Sequence, residues 1–366
     1  MPITIHDVAE AASVSVPVVS TVLNGAKGNT RVSEATRKRV VETAERLKYR
    51  PLFASRSLAR RRSDTLGVFV PPGEWRGIGF DYEGSVMRGV EAVCREKGFD
   101  ILAINLQGKC GPEQCANKFV EQRIDGLLLL HVGHDAEWVE ELCGRHPNVA
   151  AVNYHGACRG LDVVNFDNTA AARLAVKHLA ELGHRRIGYL GMMTFEETGP
   201  GAVERCDGFS GMVADMGLEA APEWVLDSPN KAFARAAKAR AFAERFDFAA
   251  ERVMSMRPNE RPTAWVGYND FAVVKLMRQM RYLGARAPED LSFVGIDDSP
   301  LATLLMPTLS SVAQPLFEMG RMAAERLIDR AELGAERGLE GLPHVFVKCA
   351  PEMRARGSSG RLGDRG

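Results

Sequence analysis

The sequence predicts an α/β protein led by a small all-α headpiece. Three observations carry that reading. Thr4 to Asn24 has the pattern of two short helices around a tight turn. From Thr65 onward, short apolar runs alternate with amphipathic helices. Charge is also divided: residues 1–62 hold 12 Lys and Arg against 5 Asp and Glu, and the rest of the 366 residues hold 35 against 42. A basic arm on an acidic body is the footprint of a chain that meets nucleic acid with one part and something else with the other.

In the first stretch, TIHDVAEAASVSVPVVSTVLN, Thr4 is placed to cap a helix, with Asp7 three residues on to complete a capping box. Ile5, Val8, Ala9 and Ala12 recur at i, i+3, i+4 and i+7 and share one face. Ser15 caps a second helix, in whose first turn Pro17 is tolerated because the N–H it lacks would be unpaired there. Val19, Val22 and Leu23 turn inward, leaving Val16, Pro17, Ser20 and Thr21 outward. This is a helix-turn-helix pattern, whose second helix enters the DNA major groove. An ordinary helical hairpin fits the same stretch. Ser33 starts a third helix, reaching about Lys48, with Val40, Ala44 and Leu47 as its inner stripe. Pro51 stops it, and Leu52 to Ala59 has helical spacing but is too short to be helical unaided. Arg60, Arg61 and Arg62 follow, where phosphates would lie.

The body begins with TLGVFV at Thr65 to Val70. Helices are expected at Asp81 to Lys97, Pro112 to Gln122, Thr169 to Leu182, Asp207 to Met216 and Phe233 to Arg245. Strands are expected at Phe99 to Asn105, Asp125 to Leu130, Val149 to Val152, Val163 to Phe166, Ile187 to Leu190, Ala264 to Val266, Leu291 to Gly295 and Val345 to Lys348. Apolar strands alternating with helices indicate parallel sheets, and their number suggests two α/β lobes with a cleft. Ligands in such folds bind beyond the carboxyl ends of strands. That rule nominates Pro71, Glu74, Asn105, Gln107, His131, Asn153, Tyr154, Asp167, Asn168, Met192, Phe195, Tyr268 to Asp270, Asp297 and Asp298. Helix capping is the competing role for Asp167 and Asp270. Phe195, Tyr154 and Trp265 are the candidate stacking aromatics. RGSSGRLGDRG, residues 355–366 with Ala355 in front, has no periodicity and is expected to be disordered.

Several classes are disfavoured. The seven cysteines (94, 110, 115, 143, 158, 206 and 349) are odd in number and scattered, which suits reduced thiols rather than a disulfide framework. No His-Glu-x-x-His or paired Cys spacing points to a metal, and no phosphate-loop, dinucleotide or nucleophile-elbow motif points to catalysis. Catalytic residues, metals and cofactors are therefore expected to be absent. The N-terminus reads as a capped helix and no run is long enough to span a bilayer, so a cytoplasmic protein without a membrane partner is expected. A soluble solute-binding receptor and an α/β cleft enzyme are the alternatives; the first leaves the basic headpiece unused.

DVAEAASVS, VVSTVLN, VSEATRKRV, LKYRP and SRSLA resemble, in order and spacing, the headpiece and hinge helix of the lactose-repressor (LacI/GalR) family. IDGLLLL, VNFDNTAAARLAVKHLAELGHRRIGYLG, RCDGF, VGYND, VGIDDSP and SVAQP resemble its two-lobed, type I periplasmic-binding-protein-like effector core. The resemblance implies a helix-turn-helix domain at 1–50, a hinge helix and linker at 51–62, and an effector-binding and dimerisation domain at 63–354. It implies a homodimer on double-stranded operator DNA, acting as a repressor of a catabolic operon under a small, sugar-like effector. The expected DNA-facing residues are Thr4, Ser15, Val16, Pro17, Ser20, Thr21, Asn24, Leu58 and Arg60, with Leu58 matching the family's minor-groove wedge. Arg205, three residues before Gly208, Asn269 and Asp297 match the residues that hold effector hydroxyls. Ser13 stands where the family has Gly or Asn, and Thr21 where it has a polar residue or Arg, so the half-site is this chain's own.

Overall fold

A computed structural model describes residues 3–24, 32–51, 57, 60, 62–71, 81–104, 112–132, 137–191, 199–227, 230–337 and 343–363. Helices α1 (Ile5–Ala11), α2 (Val16–Asn24) and α3 (Glu34–Arg46) close on a small core of Val8, Ala9, Ala12, Val19, Val40 and Ala44. The capping box forms: Thr4 Oγ accepts from the Asp7 N–H, and the Asp7 carboxylate accepts from the Thr4 N–H at 2.7 Å. Ser13 makes the turn at φ +51°, a left-handed conformation that disfavours any side chain. Ser33 caps α3 through the Thr36 N–H at 3.2 Å.

The body holds two six-stranded sheets. The first contains β1 (Thr65–Phe69), β2 (Asp100–Ile104), β3 (Gly126–Leu130), β4 (Val149–Val152), β5 (Asp162–Phe166) and β11 (Phe346–Cys349), in the order β11-β5-β4-β3-β1-β2, all parallel. The second contains β6 (Ile187–Leu190), β7 (Val225–Leu226), β8 (Ala264–Gly267), β9 (Ser292–Asp297), β10 (Ser310–Ala313) and β12 (Glu352–Arg354), in the order β12-β10-β9-β8-β6-β7; only β12 runs antiparallel. β1, β3, β4 and β5 are buried along their whole length, which is why β3 and β4 read as unbroken apolar runs; β5 also buries Asp162 and Asn165.

The chain passes between the lobes three times: after β5, after β10, and between β11 and β12. The helix Asn168–Glu181 leaves β5 and packs on the second sheet, whereas Leu316–Arg337 leaves β10 and packs on the first. One hydrophobic cluster accordingly runs through both lobes, from Leu66 and Val86 to Tyr189 and Val294. Leu316–Arg337 lies directly on Asp81–Lys97 at a glycine pair. A Cβ on Gly89 would sit 2.0 Å from the Phe317 carbonyl oxygen, and one on Gly320 would sit 2.0 Å from that of Val86.

Several expectations are corrected. Residues 355–363 are ordered, not a disordered tail: Ser358 is fully buried, donates to the Phe293 carbonyl at 2.7 Å and accepts the Ser310 N–H at 2.8 Å. The helix expected from Asp207 begins at Pro200, because proline suits the first helical turn and the Gly-Pro-Gly there is a start rather than a loop. The helix expected at 233–245 is two, Lys231–Lys238 and Phe242–Ser255. Two long helices the strand-helix reading passed over are present, Asp270–Tyr282 and Leu316–Arg337.

Candidate functional site

The described strand ends converge where the lobes meet, and four non-glycine residues there hold positive φ: His131 (+52°), Asn153 (+59°), Asp297 (+124°) and Asp298 (+53°). Such backbone strain concentrates at binding sites because the surrounding packing must enforce it. Arg205, on the helix Pro200–Asp215, is the centre of the C-lobe half. Its side chain is buried; Nε donates to Asn168 Oδ1 at 2.8 Å, Nη1 donates to the Tyr268 carbonyl, and Nη2 lies 3.5 Å from Asp297 Oδ1. The Tyr268 ring lies under the guanidinium at 4.7 Å. Gln314, just past β10, donates to the same Asp297 oxygen at 2.5 Å.

The N-lobe half is aromatic and acidic. Tyr82 and Glu83 open the helix Asp81–Lys97. His131 stacks on the Tyr82 ring at 4.4 Å and meets Glu83 Oε1 through Nδ1 at 3.0 Å, while Asn153 Nδ2 donates to the Tyr82 hydroxyl. One further pair bridges the lobes. His155 Nδ1 lies 3.3 Å from Glu204 Oε1, and Glu204 Oε2 accepts from Asn168 Nδ2 at 3.1 Å, continuing the chain of bonds to Arg205.

The electrostatics follow from burial and pairing. Burial raises the Asp297 pKa, with Arg205 and Gln314 opposing it. Burial acts to lower that of Arg205, but Asp297 and the surrounding tyrosines outweigh it and hold the value up. Asp270 is pushed up to about 7 by burial and by Asp297. The Tyr82 hydroxyl is raised by burial and by Asp297. Burial acts to raise Glu204, but the hydrogen bonds from His155 and Asn168 prevail and lower it.

Of the residues nominated from sequence, Arg205 and Asp297 meet directly. Asn269 is adjacent to the Tyr268 carbonyl that Arg205 grips, but its Oδ1 caps the following helix by accepting from Ala272 N at 2.9 Å. The N-cap is thus Asn269, not Asp270. Asp270 instead is fully buried, takes the Ser299 N–H and Oγ on one oxygen at 2.7 and 2.9 Å, and takes Ser311 Oγ on the other at 2.5 Å. Asp167 caps its helix as expected, through Ala170 N. Tyr154 and Trp265 are core; Tyr82 and Tyr268 are the cleft aromatics. Tyr82, Glu83, His155, Glu204 and Gln314 were not nominated, and Gln314 alone carried a signal, as the end of the SVAQP motif. Glu74, Asn105, Gln107, Met192 and Phe195 lie outside the described residues.

At the headpiece, Pro17 and Ser15 are exposed and Ser20 and Thr21 half-buried, but Val16 packs against the headpiece core rather than facing fully outward. Thr4 is engaged by Asp7, its Oγ lying 2.8 Å from Asp7 Oδ2. Arg60 is half-exposed, 3.6 Å from Asp64. Leu58 and the Asn24 side chain lie outside the described residues.

A model of bacterial regulatory proteins of the lacI family matches residues 4–51, and one of a periplasmic binding protein-like domain matches residues 176–359. The chain is 30% identical over 331 residues to the HTH-type transcriptional repressor PurR of Aliivibrio fischeri (strain MJ11), covering 89% of this chain and 91% of that one. The chain belongs to the lacI family of bacterial regulatory proteins. It is 29% identical to catabolite control protein A of Priestia megaterium, over 89% of this chain and 92% of that one. A lac repressor dimer bound to operator and the anti-inducer ONPF shares the fold with a TM-score of 0.73 at 22% identity, covering 98% of this chain and 100% of that one. A complex of the transcriptional regulator CelR with cellobiose matches with a TM-score of 0.62 at 25% identity, over 98% and 100%. The lacI-family chain is thus a DNA-binding transcription regulator rather than an enzyme. Among the described residues no His, Cys, Asp and Glu cluster could hold a metal, and no helix is long and apolar enough to cross a membrane.

Proposed function

We propose that this regulator is a homodimeric repressor of a catabolic operon that binds a near-palindromic operator and answers to a small, uncharged, hydroxyl-rich effector of the sugar class. The observation that carries the effector reading is the Arg205–Asp297 pair at the lobe junction, with a fixed donor and acceptor 3.5 Å apart. Vicinal hydroxyls can insert there, each donating to Asp297 and accepting from Arg205. Arg205 is already paired with Asp297, which matches its charge, so the site does not call for an anionic ligand. The CelR–cellobiose complex is a structural neighbour with a bound sugar, which supports this class.

In this reading DNA is read by α2 through Pro17, Ser20 and Thr21 and by Ser15 just before it, and Thr4, Asn24, Leu58 and Arg60 are the further residues expected to meet DNA. The test has two parts. The full chain is used to retain duplexes from a random-sequence pool, and two inverted half-sites are expected. Thermal shift over sugars, sugar acids and nucleobases then identifies the effector. A shift confined to sugar acids or nucleobases refutes the assignment.

A further inference from the structure

Arg60 and Arg62 both meet Asp64, but Arg62 reaches further. Arg62 is turned into the body: Nε lies 2.5 Å from Asp64 Oδ1 and 3.9 Å from Asp125 Oδ2, Nη2 lies 3.4 Å from Glu332, and the guanidinium covers the Phe99 ring at 5.0 Å. Asp125, immediately before β3, grips the linker backbone itself. Its two oxygens accept the Ser63 N–H at 2.8 and 3.0 Å, the Ser63 Oγ at 3.0 Å and the Asp64 N–H at 2.7 Å. The Asp125 N–H in turn donates to the Thr65 carbonyl at 2.8 Å, and Ser63 is buried. The grip is therefore built at the point where the headpiece tether becomes β1, from residues contributed by β3's start, the Leu316–Arg337 helix and Phe99.

We infer that Arg62 and Asp125 form a clamp that fixes the direction in which the tether leaves the body, and that both are positioning residues for DNA binding without touching DNA. The inference rests on the reading of a dimer that places two headpieces on one duplex. Two linked modules bind tightly only if the tether holds the second near its half-site, and a loosened exit lowers that effective concentration. A phosphate contact and a clamp differ in one measurable respect. Losing a phosphate contact reduces the slope of log K against log salt by about 0.9, whereas losing a clamp lowers K and leaves the slope unchanged.

The experiment uses the full chain and a duplex it has itself retained from a random-sequence pool. Affinity is measured across a salt series for wild type, Arg62→Ala and Asp125→Asn. Both variants are expected to bind at least about tenfold more weakly with the wild-type slope, since avidity from a well-matched tether spans about 10²–10⁴. Amide exchange provides a readout independent of DNA: in Asp125→Asn the Ser63 and Asp64 amides should exchange faster while those of β8 do not. A slope lowered by about one in Arg62→Ala makes it a phosphate contact and overturns the clamp. Unchanged affinity in both variants, or unchanged Ser63 and Asp64 exchange, overturns it as well. If wild type retains no duplex at all, the DNA-binding reading fails first and the clamp falls with it.

Discussion

Asp270→Asn tests the physical picture of the cleft most sharply. Asp270 is fully buried, its carboxylate faces three donors on Ser299 and Ser311, and burial with the neighbouring Asp297 raises its pKa from 3.8 to about 7. The sign is fixed by which state holds the proton. Between about pH 4 and 7 the folded protein keeps a proton that the unfolded chain releases, so stability falls as pH rises through that window and levels off above 7. At 1.36 kcal/mol per unit, this group alone makes the fold about 2 to 3 kcal/mol more stable at pH 5 than at pH 8. Asn cannot titrate there. It keeps an acceptor for Ser299 and offers Ser311 a donor, reproducing the protonated acid in the same volume. That match matters, since a Cβ added to Gly295 would already come within 2.2 Å of Asp270 Oδ1. Urea titrations of both proteins at pH 5, 6, 7 and 8 cancel, in the difference, the titrating groups that do not interact with Asp270; Asp297 is the neighbour that does. The variant should gain on wild type by about 2 to 3 kcal/mol from pH 5 to pH 8. A pH-independent difference would refute the reasoning and leave Asp270 an ordinary ionised acid.

The other predictions concern packing, strain and pairing. Gly89→Ala should lose about 3 kcal/mol by urea titration, because its Cβ meets the Phe317 carbonyl and the two helices must part. Gly144→Ala, with nothing within 4 Å and in the last turn of the helix Glu137–Arg145, should instead gain up to about 0.5 kcal/mol, the low end of a helix Gly→Ala replacement. Ser13→Gly should stabilise the headpiece by about 1 kcal/mol by relieving the φ of +51°, seen as slower exchange of the Val8 and Val19 amides. Arg205→Ala should abolish binding of the sugar found by thermal shift. It should also destabilise the core by about 3 kcal/mol at pH 8, with a smaller loss at pH 5, where Asp297 can take up a proton in place of its lost cation. An equal loss at both pH values would show that the Arg205–Asp297 pairing is not what holds the site.

How far the sequence could be read depended on whether a residue's partner lay nearby in the chain. GLLLL and TLGVF announce themselves because a strand covered on both faces must be apolar throughout, and Thr4 with Asp7 forms its cap within one helical turn. Residues 355–363 misled for the opposite reason. Ser358, Ser359 and Gly360 are polar or small, yet each has a partner far away in sequence, on Phe293 and Ser310, on His178, and on His184. Composition cannot register hydrogen bonds across such distances. The same rule divides the cleft. Asp297 was legible because it ends an apolar strand, and Arg205 because it opens the RCDGF motif that resembles the family's, although the helix expected there began two residues too late to include it. Glu204 and His155 were not, since their pairing exists only once two lobes, built from interleaved segments, face each other. Arg62 shows the limit in its clearest form. Arg60 and Arg62 share one chemistry, one stretch of chain and the acid Asp64, yet Arg62 alone of the two also reaches Asp125 and Glu332, because the body's acidic surface meets the tether at that residue. The charge asymmetry visible in the sequence therefore has two uses in the folded protein: the basic arm suits DNA, and its last arginine ties that arm to the acidic body.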